Sequence, residues 1–134
     1  NINMNLPKKI PVFPLSNFII FPKTSVPLNI FEPRYIDMIN DSMKTDRYIG
    51  IIQPKNTNSF KNNMPNLYNI GCLGKIINFK ETSDNRYLIE VKGIIRFKIT
   101  KEYQNNKKYR ECEIDSSLFL EDLQENKAEL RKPG

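Results

Sequence analysis

Between Tyr87 and Ile99 the chain alternates without a break. Tyr87, Ile89, Val91, Ile95, Phe97 and Ile99 hold one phase of a period-two pattern, and Arg86, Glu90, Lys92, Arg96 and Lys98 hold the other. Only an extended strand repeats every two residues, so this segment commits the chain to a sheet. It is about twice the length of an ordinary strand. Gly93 continues the apolar phase without a side chain, which predicts either one long strand bent at Gly93 or two strands joined there by a bulge.

The flanking sequence supplies partners for that strand. Tyr68, Ile70, Cys72 and Ile76 share a phase, with Gly71 and Gly74 allowing close approach or a bend, and Asp84-Asn85 suits a turn with positive φ. Near the end, Cys112 and Ile114 are expected to point inward, opposite Tyr109, Glu111 and Glu113. Upstream, residues 9–15, 26–30 and 47–54 read as short strands. Pro11 and Pro14 suit an edge or entry position because proline cannot donate to a ladder.

One helix interrupts the strands. Pro33 fits its first position, where a missing N–H costs nothing. Tyr35, Ile36, Ile39 and Met43 then form an apolar stripe, with Asp37, Asn40, Asp41 and Lys44 on the other face. Phe31 is expected to close the preceding strand into the core. Glu32 lies at the positive end of the helix dipole, within reach of Arg34. Residues 55–66 are polar and Asn-rich and read as an exposed loop. Ser116-Ser117, Leu120, Leu123 and Leu130 suggest a second helix starting near the end.

The total of 134 residues suits one domain with one core. The expected class is α+β, mostly β: a six-stranded barrel with one helix after the second strand and a short C-terminal helical tail. Residues 1–9 read as an N-terminal extension, 10–116 as the barrel and 117–134 as the start of a truncated helical segment. No apolar run approaches the length of a membrane span, and the start lacks the apolar core of a signal peptide, so a cytoplasmic protein with no membrane role is expected.

Absences narrow the chemistry. There is no histidine, which removes Ser-His-Asp and Cys-His catalysis and histidine metal sites. There is no glycine-rich phosphate loop. Two cysteines far apart, Cys72 and Cys112, make neither a disulfide framework nor a zinc site and read as small buried hydrophobes. Asp37 and Asp41 share a helix face, and this spacing is ordinary for a solvated face. No catalytic residue, metal or cofactor is assigned. The net charge of +6 raises a nucleic-acid reading, with Arg86, Lys92, Arg96 and Lys98 lining one face. The charges are scattered, however, and Tyr87 and Phe97 are expected inward, leaving no stacking platform. The apolar loop Phe18, Ile19, Ile20 and Phe21 is open to two readings: an exposed binding patch, or filler for the open end of the fold.

Taken in order, "PVFPL" (11–15), "FP" (21–22), "PLNIFEPRY" (27–35), "GCLGKI" (71–76), "DNRYLIEVKG" (84–93) and "IIRFKI" (94–99) resemble the N-terminal domain of Lon proteases and the stand-alone bacterial proteins built on it. The resemblance spans roughly residues 10 to 115. It marks Phe31, Glu32, Pro33, Arg34, Tyr35, Gly71, Gly74, Gly93, Arg96 and Phe97 as structural family positions. It implies a PUA-like barrel with no catalysis of its own, which binds unfolded or tagged protein substrates and supports oligomer assembly. The ATPase and Ser-Lys peptidase parts of such a protease have no counterpart in these residues. The alternative within the same fold is a PUA-like RNA-binding module, and nucleic acid is not the expected partner.

Overall fold

The computed structural model describes residues 5–16, 19–55, 60–61, 64–65, 67, 69–82 and 84–124. The expectations for Phe18, Tyr68 and Leu130 lie outside them. Six strands form one sheet in the order β2-β7-β6-β3-β1-β8, where β1 is Lys9–Pro14, β2 Ser25–Ile30, β3 Tyr48–Ile52, β6 Ile70–Glu81, β7 Tyr87–Glu102 and β8 Arg110–Asp115. The far end of β7 also pairs with β8, from Lys98↔Asp115 to Glu102↔Cys112. A helix, α1 (Pro33–Met43), follows β2, and a 3-10 helix (Ser117–Leu123) follows β8. The described residues are therefore mostly β, with a six-stranded sheet and two helices. Within the segment read as a polar loop, β4 (Phe60–Lys61) and β5 (Met64–Pro65) form a small antiparallel pair.

Two strand expectations change. β1 lies between β3 and β8 rather than at an edge. It tolerates its prolines because its two ladders overlap only at Val12. The β3 ladder covers Val12–Pro14 and the β8 ladder Lys9–Val12, so Pro11 and Pro14 each lie where only one neighbour is paired. β8 also buries more than its alternation predicts. Tyr109 and Glu111 are buried along with Cys112 and Ile114. The Glu111 carboxylate is compensated by Asn105 Nδ2 at 2.8 Å and Lys107 Nζ at 3.2 Å.

β7 is one continuous strand, and a bulge beside Gly93 decides what it buries. Against β6, Gly93 pairs with Gly74 and Ile95 with Leu73, leaving Ile94 as the extra residue. Cross-strand partners share a face, so the register assigns sides. Val91 lies with Ile76 on one face of the sheet, whereas Ile95 lies with Leu73 on the other. The same phase of the sequence thus serves two cores. Tyr87, Ile89 and Val91 join Phe13, Ile20, Tyr35, Met38, Ile39, Ile49, Ile51, Cys72 and Ile76 under the helix. Ile95 and Phe97 join Ile10, Val12, Ile52, Leu73, Cys112 and Ile114 on the opposite side. β6 has no extra residue here, so its neighbours Cys72 and Leu73 face opposite cores. Ile70 shares Cys72's face but lies beyond the packed region and is 52% exposed, not buried as its phase suggested.

In α1, Pro33 occupies the first turn and Glu32 the cap position, where the Glu32 carboxylate accepts no capping hydrogen bond. Tyr35, Met38, Ile39 and Ser42 are buried, a stripe rotated slightly from the expected one, with Ile36 and Met43 half-buried. The polar face is not wholly solvated. Tyr87 Oη donates to Asn40 Oδ1 at 2.7 Å, and Tyr109 Oη donates to Asp41 Oδ2 at 2.6 Å, tying the helix to β7 and β8. Phe31 does not close β2 into the core. It is 59% exposed, because the inward place at the strand end goes to Ile30, which is 1% exposed. The Arg86 guanidinium lies 5.6 Å from the Phe31 ring centroid.

Candidate functional site

An apolar groove of about 590 Å³ lies on the sheet face that carries Ile70 and Cys72. The loop residues Ile19, Ile20, Phe21 and Pro22 form one wall. The end of β3 (Ile51, Ile52) with Gln53 and Lys55, and the start of β6 (Ile70, Gly71, Cys72) with Asn69, form the rest, and Arg96 of β7 stands at the rim.

The expected apolar loop divides its roles residue by residue. Ile20 is 4% exposed and belongs to the core under the helix, whereas Ile19 is 57% and Phe21 60% exposed. Ile20 is thus buried in the core, while Ile19 and Phe21 are exposed. Together with Ile70 they give this groove three exposed large apolar side chains, of the kind that marks an interaction surface. The loop is anchored to β7 through its backbone. Lys23 N donates to Gly93 O at 2.7 Å, Gly93 N donates to Thr24 O at 2.8 Å, and Pro22 bridges Gly93 in parallel. A Cβ at residue 93 would strike the Phe21 carbonyl, so the loop can lie this close only against glycine. Gly71 has a similar role in the floor: a Cβ there would come 2.7 Å from both Ile51 O and the Phe97 ring.

Arg96 reaches this site because of the Ile94 bulge. It pairs with Cys72 and so lies on the groove face, while Lys92 pairs with Lys75 on the opposite face. The cationic row Arg86, Lys92, Arg96 and Lys98 is thereby split between two sides of the sheet, and the single basic face considered for RNA does not form. Arg96 is held by Asp122 of the 3-10 helix. Its Nε donates to Oδ2 at 2.9 Å, its Nη2 to Oδ1 at 2.8 Å, and its backbone N–H to Oδ2 at 3.0 Å. The guanidinium lies over the Phe119 ring at 4.7 Å. The hydrogen bond from Arg96 holds the Asp122 carboxyl below the usual carboxylate range and in turn raises Arg96. Lys23 Nζ donates to the Gln124 carbonyl, so the C-terminal segment is tied to both sides of the groove mouth.

Among the described residues the groove lining contains no carboxylate. Burial pushes the Cys72 thiol up to about 12, far from the reactive thiolate range. No group of three metal-ligating side chains occurs among the described residues. Asp37 and Asp41 lie in a separate polar depression with Lys44, Lys107, Lys108 and Tyr109, where Asp41 accepts the Tyr109 hydroxyl. Glu32 and Arg34 make a surface pair at 3.1 Å, half-exposed on both sides, with Arg34 stacked 5.0 Å from the Tyr35 ring centroid. Neither Glu32 nor Arg34 lines the groove. Ile70 escaped sequence reasoning because it carries a strand alternation that looks like core. In β3 the apolar run Ile49 to Ile52, interrupted only by Gly50, was the signal that the strand serves two faces.

No helix among the described residues is long and apolar enough to cross a membrane. The family model of the ATP-dependent protease La (LON) substrate-binding domain matches residues 9–132. Among curated proteins, the protein is 30% identical over 108 residues to a Lon protease of Desulfosudis oleivorans, covering 80% of this chain and 13% of that protein. It is 24% identical over 112 residues to Lon protease 2 of Myxococcus xanthus, covering 84% and 13%. This chain thus spans roughly an eighth of the length of such relatives. Among solved structures, a Lon N-terminal domain protein from Xanthomonas campestris superposes with a TM-score of 0.62 at 21% identity, covering 80% of this chain and 58% of that one. The N-terminal domain of a Mycobacterium avium complex Lon protease gives 0.60 at 16% identity, covering 81% and 54%. These two structural likenesses speak for the fold. With the family model matching nearly the whole chain, the protein belongs to the ATP-dependent protease La (LON) substrate-binding domain family.

Proposed function

We propose that this chain is a non-catalytic recognition module of the Lon type, which holds unfolded or tagged protein in the groove between the Ile19–Pro22 loop and the start of β6. The observation that carries the reading is the exposure of Ile19, Phe21 and Ile70 around one apolar groove. An unfolded polypeptide displays apolar segments that a folded one hides, and such a groove captures them by burying area, at roughly 25 cal/mol per Å² before the cost of ordering the segment. On this reading the six strands act as a PUA-like barrel over residues 10–116, following an extension at 1–9. Residues 117–134 begin a helical continuation, with the docked 3-10 helix as its first turn. Ile19 and Phe21 carry the binding surface of the loop, with Ile20 anchoring it in the core, and Gly71, Gly74, Gly93, Arg96 and Phe97 hold the frame beneath it. The parent protein is an ATP-dependent protease or a stand-alone relative acting in the cytoplasm, with the module also supporting self-assembly.

The test uses Phe21→Ser and Ile70→Ser, both exposed and so neutral toward the core. Binding to a permanently unfolded, reduced and alkylated model protein is measured beside the melting temperature. Binding reduced about tenfold with an unchanged melting temperature is expected for the double variant. Unchanged binding overturns the groove as the site.

A further inference from the structure

The groove is apolar in its walls and cationic at its rim. Among the described residues its lining holds Lys55 and Arg96 and no carboxylate. The carboxylate that neutralises Arg96 belongs to Asp122, whose side chain is only 8% exposed and lies outside the lining. Asp122 takes Nε and Nη2, while Nη1 carries no hydrogen bond among the described residues. The Arg96 side chain remains 46% exposed. Lys55 is exposed, with no ion pair among the described residues. Lys98 lies on the same face, as it pairs across the ladder with Ile70, but Asp115 pairs with it on the other side and offsets its charge. A purely apolar occupant would leave Lys55 and the free Nη1 edge of Arg96 without an acceptor, and one with basic flanks would be repelled.

We propose that the groove selects apolar segments that carry a carboxylate, either at a free C-terminus or on an acidic residue adjoining the apolar stretch. This rests on the groove being the binding site and specifies which class of segment it takes. The apolar side chains lie against Ile19, Phe21 and Ile70, and the carboxylate meets the Lys55 ammonium and the Arg96 Nη1 edge. Arg96 is well suited to the task, because Asp122 fixes its guanidinium plane and a second acceptor pays little to order it. At a half-exposed rim such pairs contribute modestly, so charge sets preference and apolar burial sets most of the affinity.

Fluorescence anisotropy on the full 134-residue protein tests this with a labelled apolar peptide of Leu, Val and Phe residues. The peptide is made with a free C-terminal carboxylate, with a C-terminal amide, and as an amide with an internal Asp, Asn or Lys beside the apolar stretch. The carboxylate and Asp forms are expected to bind about three- to fivefold more tightly than the amide and Asn forms, with the Lys form weakest. The preference is expected to shrink at high salt, to fall in Lys55→Gln and to fall further or reverse in Lys55→Glu. Equal binding of the charged and uncharged forms overturns the carboxylate preference while leaving the groove reading intact. A preference that persists unchanged in Lys55→Glu also overturns it. Absence of binding by every form overturns the groove reading and this proposal together.

Discussion

Gly93 and Phe21 meet through backbone alone: the space a Cβ would occupy at residue 93 is already filled by the Phe21 carbonyl. That close approach sets the groove wall at its present distance from the sheet. Gly93→Ala must displace the loop or bend β7. An overpacked site of this kind loses about 1–3 kcal/mol. The expected result is a lowered melting temperature together with weakened binding of the unfolded model protein. The same stability loss produced by Ile10→Val, a core residue outside the groove lining, should leave binding per folded molecule unchanged, and that control separates wall position from general destabilisation.

The Arg96–Asp122 pair predicts a local, pH-dependent docking of the C-terminal segment. Asp122 has a folded pKa below its unfolded value, so its contribution is complete above the ordinary carboxylate pKa of about 4. That contribution is lost as pH falls through the lowered folded value. Asp122→Ala should therefore speed amide exchange at Arg96, whose N–H it accepts, and loosen residues 117–124 near neutral pH. Global stability should fall by no more than about 1 kcal/mol, since the Arg96 side is half-exposed. Wild type and variant should converge in acid, which NMR-detected exchange across a pH series checks.

Tyr109 anchors α1 to β8. Burial and the hydrogen bond to Asp41 both raise its phenol, so it stays protonated until well into the alkaline range. Tyr109→Phe should cost about 0.5–1.5 kcal/mol, the net worth of one hydrogen bond. The penalty for the bereaved acceptor is small because Asp41 reaches solvent. Because the folded pKa is raised, this contribution is present at neutral pH and is lost as pH climbs past the unfolded tyrosine pKa of about 10. Urea melts of the two proteins at neutral and alkaline pH should show the gap closing.

Cys72 and Cys112 are buried, and burial raises each thiol to about 12. Neither should react with an alkylating reagent at mildly alkaline pH while the protein is folded, and both should react on unfolding. Mass spectrometry of the labelled protein reads this directly. Rapid labelling of Cys72 in the native state would mean that the groove floor opens.

Glu32→Gln should be nearly silent. Its pairing with Arg34 is half-exposed, which is worth at most about 1 kcal/mol, and its place at the start of α1 adds about 0.3–1 kcal/mol. A melting temperature lowered by a few degrees at most, with unchanged binding, is the expected outcome.

The strands, the helix and its proline start are written locally, in periods of two and of about three and a half, and could be read as such. Errors arose where one element serves two neighbours. Phe31 looked like the end of a buried run, but the inward place at the end of β2 belongs to Ile30. Tyr109 and Glu111 looked like an outward phase, but the Asp41 contact from α1 and the Asn105 and Lys107 contacts from the 103–108 connection cover them. Ile70 looked like core because its phase is that of Cys72.

The sequence by itself determined that the protein builds a sheet around residues 87–99, that a helix begins at Pro33, that histidine chemistry is absent, and which family motifs it carries. Only the tertiary structure decided the faces. A bulge adds one residue to one strand and leaves its partner unchanged, so it reverses sidedness without disturbing the alternation that a reader of sequence counts. Ile94 does this in β7. It sends Val91 and Phe97 to different cores and turns Arg96 away from Lys92 toward the groove. Pairing register between distant strands carries that information, and no local period records it.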